Sequence, residues 1–390
     1  MVKKQDVLYL EPYIIEKRRY LHQHPETGFE VKETHDYIAK ELTDLGIETI
    51  LHVGKNSLIG LIHNGKGPII GLRADMDALP LEEQNDELSY KSIHKGIMHA
   101  CGHDSHSAML LGAASYLQTH KDLWKGTVKL IFQEAEEGPN PGGAYEIVRS
   151  NLLNDVDSFY AFHVSSEFES GKIATKKNAT FASADTIKMT LHGKGCHAAY
   201  PHLGIDPIIM QAEVILGLQL IRSRILNPLE PSVITIAKVV SGTTHNIIPD
   251  IAYLEGTVRT FSVVVREKIK LEIEKVLKSV TEKYGGTYDY SYIYEYDPVI
   301  NTPSEVDYIE KVVHQTLGNN VFTLLDRPSM GAEDFSRYIQ LKQGCMMWLG
   351  TRKDESTSFG LHHPKFNLDE KALLNGSLLF INLVLAYEKG

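Results

Sequence analysis

Apolar positions recur along this chain at two spacings, one helical and one of strands. Val7, Leu8, Tyr13 and Ile14, then Ile38, Leu42 and Leu45, fall at helical spacing, and Gly46 suits a helix end. Two β-rich runs follow, SLIGLIH and PIIGLRAD, with the turn residues HNGKGP around their junction. Next come a helix from about Ser105 to His120, a strand at TVKLIFQ, a helix near Tyr145 to Leu153 and a strand at SFYAFHV. Strands alternating with helices predict an α/β fold on a mixed, mostly parallel sheet. Functional groups in such sheets gather at the strands' carboxyl ends, where Asp75, Glu136 and His163 fall.

From residue 184 to 296 the pattern changes. The order is strand (DTIKMTLHG), helix (DPIIMQAEVILGLQLIRSRI), two strands (SVITIAKVV, IAYLEGTVRTF), helix (EKIKLEIEKVLKSVTEKYG) and strand (TYDYSYIYEY). That βαββαβ succession predicts a self-sufficient ferredoxin-like domain. Tyr288, Tyr290, Tyr292, Tyr294 and Tyr296 share one face of its last strand. A face packed on helices is the expectation there, ahead of a cofactor-stacking surface. Beyond Tyr296 the earlier pattern resumes, with a helix near Glu305 to Leu317, the strand CMMWLG and a final apolar helix. Residues 184–296 therefore read as an insertion, and residues 1–183 and 297–390 as one domain.

Composition narrows the function. A chain of 390 residues exceeds one ordinary core, and 43% hydrophobic with 23% charged residues is a globular balance. The net charge of −10 argues against binding nucleic acid or an anionic membrane surface. The longest apolar stretch, around Leu378 to Ala386, is too short to span a bilayer, and the N-terminus has no apolar signal-peptide core. Cys101, Cys196 and Cys345 are too few and too scattered for a disulfide framework, so the cytoplasm is the expected location.

Four segments carry metal-competent side chains beside predicted strand ends or loops: MHACGHDSH, FQEAEEG, AFHV and GLHHPKF. Thiolate, imidazole and carboxylate are the common ligands of Zn²⁺ and related ions. Cys101 and His103, two apart, point the same way in an extended loop. Glu136 and Glu137, adjacent at a strand end, are expected to point to opposite sides, one toward metal and one serving as a base. A Cys–His nucleophilic hydrolase is a rival reading, but the two-residue spacing suits it poorly and it leaves both glutamates idle. A non-enzymatic amino-acid binder is another, and the full set of ligand and base types weighs against it.

RRYLHQHPETGFE, GLRADMDALP, MHACGHDSHSAMLLGAA, FQEAEEG, GKGCHAAYPHLGIDPI, HNIIPD, GTVRTF, SMGAEDF and LHHPKF occur in this order over nearly the whole chain. In these motifs the chain resembles the dinuclear, metallopeptidase-like amidohydrolases that include bacterial aminoacylases, hippurate hydrolase, N-acetyl-diaminopimelate deacetylase and the plant auxin-conjugate hydrolases. The resemblance implies hydrolysis of N-acyl amino acids with two divalent ions, Zn²⁺ or Mn²⁺. It implies metal ligands at Cys101, His103, Glu137, His163 and His362, with Cys101 bridging and Glu136 as the base. Asp75 and Asp77 would orient ligands, and Asn246 and Arg259 would contact substrate. The ferredoxin-like domain would be a lid that makes a homodimer and sends His197 into the partner's site. A di- or aminopeptidase is the neighbouring alternative; it needs an anchor for a free α-amine, and none is identifiable. Two positions depart from the family pattern: Glu134, which adds a carboxylate near the metal segment, and Cys196, just before His197.

Overall fold

The computed structural model describes residues 1–387. The chain divides into two compact units, Met1–Thr180 with Ile300–Arg327 and Asp334–Gly390, and Phe181–Val299 with Pro328–Glu333. The first unit opens with α1 (Glu11–Gln23) and α2 (Lys32–Asp44), then β1 (Glu48–Val53), β2 (Ser57–Asn64) and β3 (Ile69–Asp75). It continues with α3 (His103–Thr119), β4 (Gly126–Gln133), α4 (Gly143–Arg149), β5 (Ser158–Glu169) and β6 (Ile173–Thr175). The second unit supplies β7 (Ala184–His192), α5 (Pro207–Leu220), β8 (Ser232–Ser241), β9 (Ile251–Thr260), α6 (Val263–Tyr284) and β10 (Thr287–Tyr296). The first unit then resumes with α7 (Pro303–Thr316), β11 (Phe322–Leu324), α8 (Ser336–Leu341), β12 (Gly344–Arg352) and α9 (Leu373–Leu385).

The sheet of the first unit is mixed, in the order β1-β2-β4-β3-β5-β12-β6-β11. Its centre is parallel, β3 lying between β4 and β5, and β12 beside β5. β1, β2 and β4 pair antiparallel. The short turn after β2 does not close a hairpin, because β4 enters between β2 and β3. The apolar runs of β3, β4, β5 and β12 are buried almost throughout, as parallel strands covered on both faces must be. β3 and β4 end side by side with Asp75 opposite Gln133, so residues 76–77 and 134–137 leave the sheet at one edge.

Helix packing near that edge is close. A Cβ on Gly112 of α3 would lie 2.7 Å from Ile14 Cγ1 of α1, so glycine lets the two helices touch backbone to side chain. Ile14, Leu110, Leu111, Leu378 and Leu379 are fully buried in the same core.

In the second unit the strands are antiparallel throughout, in the order β8-β9-β7-β10. α5 and α6 bury Met210, Val214, Leu218, Ile269, Ile273 and Leu277 against Ile187, Met189, Leu191 and Leu254. Asp206 caps α5, and Ser262 and left-handed Gly285 close the two ends of α6. Tyr288, Tyr290 and Tyr292 line the margin of this core, and the Tyr292 hydroxyl donates to Asp185 at 2.7 Å. These three are packing, whereas Tyr294 further along the stripe is exposed. Among the described residues no helix is long and apolar enough to cross a membrane.

Candidate metal centre

Cys101, Gly102 and His103 form the turn that opens α3. Gly102 holds φ +84, and a Cβ there would meet Val164 Cγ2 at 2.3 Å, so only glycine lets the turn lie against β5. This contact draws Cys101 and His103 toward His163. Cys101, His103 and His163 bring one donor atom each within 4.8 Å of one another, and all three are buried. Cys101, Glu137 and His362 form a second such group, and His103, Glu136 and Glu137 a third. The first two groups share only Cys101.

Hydrogen bonds settle which ring nitrogens are free. His163 Nδ1 donates to its neighbour's carbonyl, Val164 O, at 2.8 Å, leaving Nε2 as a lone pair 3.4 Å from Cys101 Sγ. Burial, then the neighbouring His106, pulls the His163 pKa down to about 3, so the ring is neutral and its Nε2 lone pair is open to a cation. His106 Nε2 accepts from Val164 N–H at 2.9 Å, so its Nδ1 carries the proton and donates to Asp75 at 2.6 Å. Asp75 in turn pairs at 2.7 Å with fully buried Arg73, which also reaches Gln133 and Asp334. This chain of contacts braces β3, α3 and β5 behind the donor groups.

His103 is buried, and neither ring nitrogen makes a hydrogen bond. They lie 3.4 Å from Asp77 and 3.8 Å from Asp75, beyond good hydrogen-bond geometry. Burial alone would lower its pKa, but Asp75, Asp77 and Glu137 push it up to about 10. So strong a negative field around unsatisfied nitrogen is suited to a cation. Burial, Glu137 and Glu136 raise the Cys101 thiol well above its ordinary value. A nucleophilic cysteine needs the opposite shift, which weighs against the Cys–His reading. A mixed thiol, imidazole and carboxylate set with orphaned buried nitrogen fits divalent metal.

The two glutamates do not diverge as expected of a strand end. β4 stops at Gln133, and Ala135 turns the chain with φ +53. Asp77 then accepts from the backbone N–H of both Glu136 and Glu137 at 3.0 Å, and one oxygen of each side chain approaches His103. Glu137 differs from Glu136 in its partner, the His362 Nε2 at 2.7 Å. His362 itself holds φ +62, a left-handed conformation costing about 1–3 kcal/mol that its neighbours must impose. Its N–H donates to Ala100 O at 2.8 Å.

Glu134 is not a third carboxylate of the centre. Its oxygens accept from the Lys55 and Asn56 N–H groups at 2.8 and 2.7 Å, tying the β1–β2 turn. His106, Arg73, Gln133 and Asp334 went unnoticed in the sequence. His106 carried a usable signal, lying three residues after His103 on one helix face.

The remaining candidates belong to the second unit. His197 and Asn246 adjoin in a short ladder in which Ala198 N–H donates to Asn246 O at 3.0 Å. His197 is exposed, and its Nδ1 accepts from Ala199 N–H at 3.1 Å, so the proton resides on Nε2. Cys196 turns its thiol to Tyr200 O. Arg259 lies half-buried on β9, where its Nη1 donates to Thr257 Oγ1 at 2.5 Å and Glu295 and Asp185 act on its charge. Glu255 pairs instead with Lys188 and Lys238.

The model of peptidase family M20/M25/M40 matches residues 71–386. The chain is 39% identical over 389 residues to thermostable carboxypeptidase 2 of Saccharolobus solfataricus, with 98% of each chain covered. It is 37% identical over 371 residues to N-acetyl-L-cysteine deacetylase of Bacillus subtilis, covering 94% of this chain and 86% of that one. Among solved structures it is similar to the Bacillus subtilis YXEP protein, a dinuclear metal-binding peptidase of the M20 family. The two share 33% identity and a TM-score of 0.85 over 97% of this chain and 98% of the other.

Proposed function

The chain belongs to peptidase family M20/M25/M40 and is a metal-dependent amidohydrolase, from which we propose that it cleaves N-acyl L-amino acids to a carboxylate and the free amino acid. The observation that carries this reading is the pair of donor groups joined at Cys101. Cys101, His103 and His163 would hold one divalent ion, and Cys101, Glu137 and His362 a second, Zn²⁺ or Mn²⁺. Such ions, when bound, supply Lewis acidity that brings the pKa of water from ~16 towards ~7.

The protein groups then divide the work. Glu136 takes the proton of the attacking water and returns it to the departing amine. His197, exposed and with its proton on Nε2, donates to the tetrahedral oxyanion. Arg259, a half-buried guanidinium that donates to Thr257, grips the substrate α-carboxylate as a charge-assisted pair, and Asn246 adds a polar contact. A carboxypeptidase reading is favoured by the Saccharolobus relative and uses the same anchor, since a C-terminal residue is an N-acyl amino acid whose acyl group is a peptide. Hydrolysis rates for N-acetyl-, N-benzoyl- and indoleacetyl-amino acids against short peptides decide between them. Faster cleavage of small acyl groups is expected, and activity restricted to peptides would reverse the reading.

The second unit we read as a ferredoxin-like lid through which a cytoplasmic homodimer forms. Support comes from exposed apolar groups: Ile209, Leu216 and Leu220 on α5, and Val239 and Val240 on β8, the last strand of its sheet. In a two-fold dimer each centre would take the partner subunit's His197. His197→Ala is expected to lower kcat by about 10²–10³-fold. Mixing it with an inactive Glu136→Gln variant under subunit exchange should restore activity, because one site of the mixed dimer is then complete. No recovery after proven exchange would mean that His197 does not act across subunits.

A further inference from the structure

Arg18 and His22, one turn apart on α1, are fully buried beside a cluster of acids. Arg18 Nε lies 2.8 Å from Asp104, its Nη1 lies 3.3 Å from Glu370, and Tyr90 stacks on the guanidinium. His22 faces carboxylates on both sides, Asp104 at 2.8 Å from Nδ1 and Glu83 at 3.2 Å from Nε2. None of these groups has a part in the hydrolysis. Asp104, however, directly follows His103, and Glu83 begins a segment that grips the His362 loop. Glu83 accepts from Asn85 Nδ2 at 3.2 Å, and the same amide donates to Phe366 O at 3.0 Å. Gln84 N–H donates to Pro364 O at 2.8 Å, and Ser92 N–H to Glu83 Oε2 at 2.8 Å.

The consequence is geometric. Four of the donor residues are buried or nearly so and braced by sheet and helix, but the His362 side chain is 53% exposed and sits on a loop. The loop is fixed at His362 to Ala100, and at Pro364 and Phe366 to residues 84–85. Residues 83–85 are themselves fixed through His22 to α1 and to Asp104 at the head of α3. We propose that the Arg18–His22–Asp104–Glu83 cluster is a positioning clamp that sets the distance between the His362 loop and the start of α3. It thereby governs the Cys101–Glu137–His362 half of the centre and leaves the Cys101–His103–His163 half alone. This rests on the dinuclear reading for its effect on metal, but not for its effect on the loop.

Two variants test it, His22→Ala and the milder Asn85→Ala, which leaves every charge in place. Hydrogen exchange of metal-free protein is expected to be faster over residues 360–368 in both, with residues 101–106 and α9 as protected as in the parent. Mn²⁺ titration of metal-free protein should leave the tighter ion unchanged and weaken the second by about 10–100-fold, the usual effect of losing a ligand's support. Unchanged exchange over 360–368 overturns the clamp, as does loosening of α1, α3 and the loop together, which marks a merely structural cluster. A parent protein that takes up fewer than two ions overturns the dinuclear reading instead, and the exchange result still judges the clamp.

Discussion

Glutamine at position 136 is expected to lower turnover by about 10²–10⁴-fold while metal content stays near that of the parent. The substitution keeps the shape of the side chain and removes its basicity. Asp77 receives the backbone N–H groups of residues 136 and 137, not their side chains, so the turn survives the change. Glu137→Gln should do the reverse. Glu137 shares a donor group with Cys101 and His362, so its loss should be read first in metal content. Atomic emission and steady-state kinetics on both variants check the pair. Collapse of metal content in Glu136→Gln, with both ions kept in Glu137→Gln, would exchange the two assignments.

Dialysis against a strong chelator should abolish activity, and Zn²⁺, Mn²⁺ or Co²⁺ should restore it. Burial, Glu137 and Glu136 hold the Cys101 thiol in its protonated range, so it is no ready nucleophile. Cys101→Ser should lower metal content more than a change at either histidine of its group, because Cys101 alone belongs to both donor groups. Full activity in verified metal-free protein would remove the metal mechanism. Undiminished binding of two ions by Cys101→Ser would remove the cysteine from the ligand set.

Much of this was legible before any coordinates. The period of apolar residues located the principal helices and strands of both units, since burial on one face or both imposes that period. Thiol, imidazole and carboxylate stand out beside apolar strand ends, and it is the family resemblance that singles out Glu137 and His362 among them. Contacts that depend on turns were not legible. Alternation along a strand sent Glu136 and Glu137 apart, but the left-handed Ala135 turn brings their carboxylates to the same histidine. Glu134 read as an added carboxylate near the metal segment, and it binds two amides of a turn some eighty residues earlier. Arg73 and Asp334 meet from 261 residues apart. Such pairings are products of topology, which local pattern does not record.

His362 lies late in the chain, whereas Cys101, His103 and His163 all lie in its first half. His163 itself lies on a strand that pairs with residues 344–352, and His362 is held by its N–H to Ala100 O, so on the proposed ligand set neither donor group is fully supported until the last quarter of the chain has been made.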